Sequence, residues 1–489
     1  MKTRLVLLVI FISFTVIGLN SLFVTPVFGE KDLPEKIDEI VKAEAKYDLF
    51  SGTVLVAKNG ETVYAKGFGY ANKEYHIPNT LETQFNISSV QKTFIATVIM
   101  QLYQEGKIVL EDPLKKYFPD CPYKTANQIQ IKHLLNHTSG LGDYRDNEEY
   151  QAQSESYTCI DDVLPLVYKQ EPAFAPGERF RYSNAGMLFL KAIIEKVEGM
   201  KLKETLERRI FNPLGMDNTT LLRGGELLSH RATAYSLTYD GETYLRILSE
   251  PSAYAGGGIY TTALDLLKFD QALYGEELLN AENKKIMFTP VEPSPYYAYG
   301  WIVVQFGGTT VIYHGGSSGG FNSEFRRYPE VGYTLIVLSN YTGAAFELAN
   351  NIDRMLLGLP YSVATEADLY YRRGLYFQRQ DNYSKAIEFF EKNTGKAKPH
   401  LPSLYQSAKS RIIGEFDQEK AIEQLDLFIK LADESTRPST AAAWWRKGVA
   451  YEQLGMLKKA IESHKKSLEL DPKYEEAIEA LKRLEKEER

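Results

Sequence analysis

The four residues Lys-Ala-Ile-Glu occur three times toward the C-terminal end of this chain, at 385–388, 420–423 and 459–462, at intervals of 35 and 39 residues. A period of that length marks a solenoid of helix pairs. No other feature restricts the fold so tightly, because one helix pair cannot bury its own apolar face and must stack on a neighbour. The small Ala lets one helix approach its partner closely, and aromatic residues fill the space beside it. Around the first copy these are Tyr370, Phe377 and Phe390, with Gly374 between them. About three stacked units are therefore expected.

The last copy is the clearest. Trp444, Gly448, Tyr451, Leu454, Gly455, Ala460 and Pro472 stand where a tetratricopeptide repeat places such residues, and this segment resembles one. The middle copy is degenerate. Upstream of about residue 360 the pattern is different: Gly-rich turns, strand-like runs and helices alternate. An amphipathic helix with Ile37, Ile40, Val41 and Ala45 on one face comes first. A hairpin follows, with Gly52 to Ala57 and Thr62 to Gly69 flanking Asn59-Gly60, two residues that accept positive φ. A helix from about Ser89 to Gln104 is predicted next, and residues 309–314 and 333–339 again read as strands. Strands at both ends with helices between them predict an α+β sandwich. One antiparallel sheet is built from both ends of the segment and flanked by helices, with a mostly helical insertion. The expected division is 33–358 for this domain and 364–485 for an all-α repeat domain.

Residues 1–29 do not read as part of either unit. Lys2 and Arg4, the apolar run from Leu5 to Leu19, and small residues near Val27 and Gly29 describe a secretory signal peptide. An uncleaved anchor is the alternative, because the apolar stretch reaches Phe28 if Asn20 and Ser21 are tolerated. The chain is thus expected to be exported to a periplasm or cell envelope, with a possible membrane tether at its N-terminus. Its two cysteines, Cys121 and Cys159, could pair in such a compartment, though two buried thiols are the simpler expectation. The formal net charge of −7 gives no electrostatic ground for nucleic-acid binding.

Three short motifs can carry chemistry. Ser89-Val-Gln-Lys92 puts a hydroxyl and an amine on one helix face. A serine is a poor nucleophile until a neighbour takes its proton, and a desolvated, neutral lysine can do so. By itself the motif is weak: Ser463 and Lys466 repeat it on a repeat helix, where a solvated face is expected. The second motif is Tyr182-Ser-Asn184, which supplies a phenol for proton transfer and an amide that can donate to a substrate carbonyl. Tyr70-Ala-Asn72 is its decoy. The third is His314-Gly-Gly316 followed by Ser317, where glycine permits close backbone approach and backbone N–H groups can hold an oxyanion.

The order Ser-x-x-Lys, Tyr-x-Asn, His-x-Gly resembles the penicillin-recognising serine hydrolases, namely class C β-lactamases, D-alanyl-D-alanine peptidases and related esterases. The resemblance runs from about residue 35 to 355. His133-Leu-Leu-Asn-His-Thr-Ser-Gly-Leu141, Pro213-Leu-Gly-Met216 and Ala255-Gly-Gly-Gly258 before a helix capped by Thr262 with Asp265 add to it. The resemblance implies that Ser89 attacks a carbonyl to form an acyl-enzyme and that Lys92 and Tyr182 share the base and acid duties, in an order left open. It further implies that Asn184, His314, Gly316 and Ser317 meet the substrate, with the N–H groups of Ser89 and Ser317 as the oxyanion hole. Relatives that hydrolyse β-lactams usually have Lys where this chain has His314, and a His is only partly charged at neutral pH. An ester or a D-amino acid peptide is therefore expected as substrate rather than a β-lactam.

Two alternatives compete. Gly315-Gly-Ser317-Ser-Gly319 matches the Gly-x-Ser-x-Gly nucleophile elbow, but that motif needs a helix after it and none is predicted. A catalytically inactive protein that binds peptides or proteins through its repeats is the other. His133 and His137 have the spacing of a zinc pair, yet no third ligand is evident, so neither metal nor cofactor is expected.

Overall fold

Apolar runs build a sheet whose central strands are buried on both faces. The computed structural model describes residues 32–487 apart from 154–156, 158, 223–225, 239–243, 247–257, 396–397 and 435. The expected signal segment and residues 255–257 of the glycine turn lie outside the described residues. Strands β1 (Gly52–Lys58) and β2 (Glu61–Phe68) form the expected hairpin, with Asn59 and Gly60 at φ 50° and 83°. Four strands from far along the chain complete the sheet: β3 (Ile302–Phe306), β4 (Thr309–Ser318), β5 (Phe321–Tyr328) and β6 (Tyr333–Ser339). The spatial order is β3-β4-β5-β6-β1-β2, antiparallel throughout. β1 pairs with β6 from Gly52↔Ser339 to Lys58↔Tyr333, which closes the sheet across the whole insertion.

Period-two alternation sends Val54, Val56, Leu335 and Val337 to one face, against α1 (Leu33–Lys46) and a helix at Ala344–Leu356. Leu55, Ala57, Ile336 and Leu338 point the other way, into the larger core. That core holds α2 (Gln91–Gln104), α3 (Asn184–Glu198) and α4 (Ala263–Tyr274), with the helix Ala344–Leu356 numbered α5. Residues 91–102 of α2 are buried on every side, as befits the central helix of an insertion. On α1 the expected stripe holds at Ile37, Ile40 and Val41, but Glu44 is buried in place of Ala45. The reason lies in the tail: Arg372 donates two hydrogen bonds of 2.6 Å to that carboxylate.

Among the described residues the tail is three helix pairs and a last helix. The pairs are α6 (Glu366–Gln378) with α7 (Tyr383–Glu391), α8 (Leu401–Ile413) with α9 (Gln418–Leu431), and α10 (Thr440–Gln453) with α11 (Leu457–Leu470). α12 (Glu475–Glu487) follows. Each Lys-Ala-Ile-Glu phrase lies on the second helix of its pair, with Ala386, Ala421 and Ala460 fully buried. In the first two copies its Lys and Glu form a surface ion pair, Lys385–Glu388 at 2.9 Å and Lys420–Glu423 at 2.8 Å. A Cβ on Gly448 would lie 2.4 Å from the His464 ring, so the helices touch there. One expectation is corrected: Ser463 is not on a solvated face but buried, its Oγ donating to the Lys459 carbonyl at 2.8 Å. α11 is covered by α10 on one side and α12 on the other, which turns position 463 inward while Lys466 stays outside. Cys121 and Cys159 are both free thiols, the first buried and the second partly exposed. Among the described residues no helix is long and apolar enough to cross a membrane.

Candidate active site

The segment before Ser89 is pinned by a small sheet. Phe85 and Asn86 pair with Thr261 and Tyr260, and the Ile87 N–H donates to the Ile259 carbonyl at 3.0 Å. Ser88 then adopts φ 49°, a left-handed conformation that costs a non-glycine residue on the order of 1 kcal/mol. Its N–H donates to Asn86 Oδ1 at 2.8 Å, which holds the bend. A 3₁₀ turn at Ser88–Val90 leads into α2, so the expected helix begins with a tighter turn carrying Ser89. Ser89 remains partly accessible between two buried neighbours.

Lys92 Nζ and Ser89 Oγ are hydrogen-bonded at 3.0 Å. The lysine is 2% exposed, and its amine is pushed down to about 7. Desolvation is the main cause and the charge of Arg145 the second, with Asp143 opposing them. Ser89 also hydrogen-bonds the Tyr182 hydroxyl, and Lys92 Nζ lies 5.0 Å from the centre of the Tyr182 ring. Burial raises the Tyr182 phenol above its ordinary value. The sequence places this tyrosine by a helix cap. Ser183 Oγ accepts the Gly186 N–H at 3.0 Å and donates to the Gly142 carbonyl at 2.9 Å, which starts α3 and aims the residues beside it. Asn184, buried, commits one amide hydrogen to Asp143 Oδ2 at 2.6 Å.

The third motif lies on β4. A Cβ on Gly316 would sit 2.2 Å from the Ile87 carbonyl oxygen and 3.0 Å from the Ser89 nitrogen, so only glycine lets this strand pass the turn that carries Ser89. Ser317 is the next residue on the strand, exposed and paired with Asn322. β4 runs on to Ser318, turns through Gly319 and Gly320, and enters β5. No helix follows Ser317, so the elbow alternative lacks its geometry.

His314 departs from expectation. Burial, with the charge of Lys92 second, holds its imidazole down to about 3, so the ring is neutral rather than partly charged. Nδ1–H donates to the Gly315 carbonyl at 2.7 Å, which leaves Nε2 to accept from the Tyr297 hydroxyl at 2.9 Å. Both ring nitrogens are thus engaged inside the protein.

Four further residues surround the site, and the sequence motifs give none of them a role in it. Asp143 is bound by Arg145, whose Nε lies 3.0 Å from both carboxylate oxygens. Desolvation opposes its ionisation, but Arg145 and the Asn184 amide outweigh it and hold the carboxyl below its ordinary range. His137, at φ 59°, accepts the Ser183 N–H at 3.2 Å and sets its ring 4.4 Å from that of Tyr182. Tyr297 packs between His137 and His314. The family-like run ending at Leu141 pointed at His137 without a role, and Asp143 and Arg145 stand just beyond it. Tyr297 sits in a Tyr-rich loop with no periodicity. His133 uses Nδ1 to accept the Gln130 N–H at 3.2 Å, and among the described residues no cluster of His, Cys, Asp and Glu could hold a metal. In the decoy Tyr70-Ala-Asn72, Asn72 closes a local turn by accepting the Tyr75 N–H.

Fold and site define a class: the chain belongs to the β-lactamase family, whose model, described as Beta-lactamase, matches residues 37–359. It is accordingly a serine hydrolase of the kind that works through an acyl-enzyme. Two tetratricopeptide repeat models match residues 367–392 and 441–474. Penicillin-binding protein 4* of Bacillus subtilis (strain 168) is 30% identical over 339 residues, which are 64% of this chain and 74% of that protein. Teichoic acid D-alanine hydrolase of Staphylococcus aureus is 30% identical over 251 residues, 49% of this chain and 60% of that relative's length. Among solved structures, a penicillin binding protein from Bacillus halodurans superposes with a TM-score of 0.59 at 30% identity, covering 65% of this chain and 98% of that one. D-amino acid amidase from Ochrobactrum anthropi SV3, complexed with L-phenylalanine amide, gives a TM-score of 0.59 at 26% identity, covering 66% and 97%.

Proposed function

We propose that this chain is an exported hydrolase of esters or amides, including D-amino acid derivatives, and that Ser89 is its nucleophile. The observation that carries the assignment is the 3.0 Å hydrogen bond between Lys92 Nζ and Ser89 Oγ, made by an amine that burial pushes down to about 7. Lys92 and Tyr182 have their proton affinities driven apart, one down to about 7 and the other up. That separation favours Lys92 as the base that takes the Ser89 proton and Tyr182 as the acid that protonates the leaving group. Attack breaks the ester or amide bond and leaves the acyl group on Ser89. A water activated by the same pair then releases it. The N–H groups of Ser89 and Ser317 are assigned to the oxyanion, and Asn184 to the substrate carbonyl with its remaining amide hydrogen.

Two observations support the substrate class. Both nitrogens of His314 are engaged and the ring is neutral, so it offers a substrate carboxylate no cation. Relatives named as a D-alanine hydrolase and a D-amino acid amidase act on D-amino acid derivatives by those names. The site is assigned to a hydrolase domain at 33–358, with a repeat domain at 364–485 that docks a peptide or protein partner. Residues 1–29 are assigned to export into the cell envelope, as a cleaved signal or a tether. The test is to treat purified protein with a fluorophosphonate and map the adduct. Labelling at Ser89 that disappears in Ser89→Ala is expected, as is faster hydrolysis of D- than L-phenylalanine amide and slow turnover of benzylpenicillin. Labelling that survives in Ser89→Ala would overturn the assignment, and rapid penicillin turnover would overturn the substrate class.

A further inference from the structure

The loop after Leu141 carries a carboxylate that is crowded with donors. Asp143 Oδ1 accepts the Arg145 N–H at 3.0 Å, and Arg145 Nε lies 3.0 Å from both carboxylate oxygens. Oδ2 also accepts Asn184 Nδ2 at 2.6 Å. Asp143 and Asn184 are 9% and 6% exposed. A carboxylate cannot donate, so the NH2 end of the Asn184 amide, and not its oxygen, turns toward Asp143. Neither the helix nor the loop needs this bond to be held. Ser183 already caps α3, its Oγ accepting the Gly186 N–H at 3.0 Å. The loop is already tied down by Ser183 Oγ on the Gly142 carbonyl at 2.9 Å and by Gln170 Nε2 on the Asp143 carbonyl at 3.1 Å. A largely buried carboxylate is a costly extra tie, since desolvation opposes its charge.

We infer that Asp143 is a positioning residue for the reaction: clamped by Arg145, it turns the Asn184 amide so that the second N–H is presented to a substrate carbonyl other than the one attacked. The inference rests on the assignment of Asn184 to the substrate made above. The attacked carbonyl is assigned to two main-chain N–H groups, so the carbonyl left for Asn184 is a second one, as in an N-acylated amino acid. The two ends of an amide side chain have the same shape but opposite hydrogen-bonding roles. An Asn free to turn would meet that carbonyl with its own oxygen as readily as with an N–H, and two acceptors repel. One held by an acceptor-only partner keeps its donor in place before the substrate arrives, which is how a positioned polar group discriminates. Arg145 completes the device by holding the carboxylate itself in one orientation, side-on against both oxygens. The favoured substrates are then N-acylated amino acid esters or peptides, over compounds of the same side chain without the acyl amide.

The test compares two esters on the full chain: N-acetyl-D-phenylalanine methyl ester, and methyl 3-phenylpropionate, which lacks the acetamido group. The same serine opens both, so the ratio of their kcat/KM divides out any change at Ser89 or at Lys92, on which Asp143 also acts. The native chain should prefer the acetamido ester, and Asn184→Ala should lower that preference about tenfold, the effect of one well-placed hydrogen bond. Asp143→Ala should lower it at least about threefold, and adding Asp143→Ala to Asn184→Ala should lower it no further. A native preference in Asp143→Ala overturns the inference, as do losses that multiply in the double variant, because Asp143 then acts independently of Asn184. If Asp143→Ala is unfolded or inactive on both esters, the isosteric Asp143→Asn replaces it. Its amide puts an NH2 where an acceptor stood, so a preference lowered at least about threefold supports the inference and a native preference overturns it. No preference in the native chain, or one that survives in Asn184→Ala, defeats the underlying assignment of Asn184. Loss in Asn184→Ala without loss in the Asp143 variants defeats the role of Asp143 alone.

Discussion

At the scale of single residues, the site is built from groups whose protonation is set by burial. Lys92 and Lys191 are both held down to about 7, mainly by desolvation, while the same amines in the unfolded chain keep their ordinary high values. Between about pH 7 and about pH 10 the unfolded chain therefore binds more protons than the folded one, and stability rises with pH across that window. The rise should be on the order of 1 kcal/mol per pH unit for each amine. Calorimetric melting at about pH 7 and about pH 9 checks it, with Lys92→Met expected to lose roughly half of the increase. An unchanged slope in that variant would show that the burial cost lies elsewhere. Tyr297 illustrates a different dependence. Its hydroxyl is the donor for His314 Nε2 inside a buried cluster, so Tyr297→Phe strands a ring nitrogen and should cost about 1–3 kcal/mol, read as a lowered urea midpoint with unchanged slope. None of this was legible in the sequence. Ser-x-x-Lys shows as a spacing, but the neutrality of His314 follows from Tyr297 and the Gly315 carbonyl closing on it.

At the scale of elements, the site depends on how closely a strand and a helix turn approach. β4 passes Ser89 only because Gly316 has no side chain, the nearest obstacles being backbone atoms that cannot swing aside. Gly316→Ala should fold, with an unchanged far-ultraviolet spectrum, yet acylate at least about a hundredfold more slowly, since a shift of about 1 Å at a reacting group costs that much. Labelling at the native rate would mean that the strand contributes nothing to the reaction. In the tail, the same argument applies to Gly448 against the His464 ring, whose Nε2 is fixed by Glu452 at 2.8 Å. Gly448→Ala should cost about 1–3 kcal/mol in the last repeat, visible as lost amide-exchange protection in α10 and α11, without slowing Ser89 labelling. These elements were largely visible in the sequence, because period-two and helical alternation are local. The burial of Ser463 is not legible in the spacing, because α11 is covered by both α10 and α12, and α12 lies beyond the last repeat phrase.

At the scale of the whole molecule, two of the long-range joints among the described residues show how distant parts of the chain are held together. One is the pairing of β1 with β6, which brings Gly52 beside Ser339. The other joins hydrolase and repeats: Glu44 on α1, almost fully buried, accepts both hydrogen bonds from Arg372 on α6. Burial pushes the Glu44 carboxyl up and Arg372 opposes this. Arg372→Ala would leave the carboxylate without its partner at a cost of about 3–5 kcal/mol. The expected result is a repeat unit that melts separately from the hydrolase domain in calorimetry, where a single unchanged transition would show that the joint carries no weight. The repeat phrase, the alternation of the strands and the order of three catalytic-type motifs determined the fold class and the family from sequence alone, since each is a regularity along the chain. Tertiary structure decided the rest. Lys191 reaches Gln91 across 100 residues, and Asp143 with Arg145 sets the field at Lys92. Protonation inside a protein depends on which distant groups share one dry volume, and a linear pattern carries no record of that.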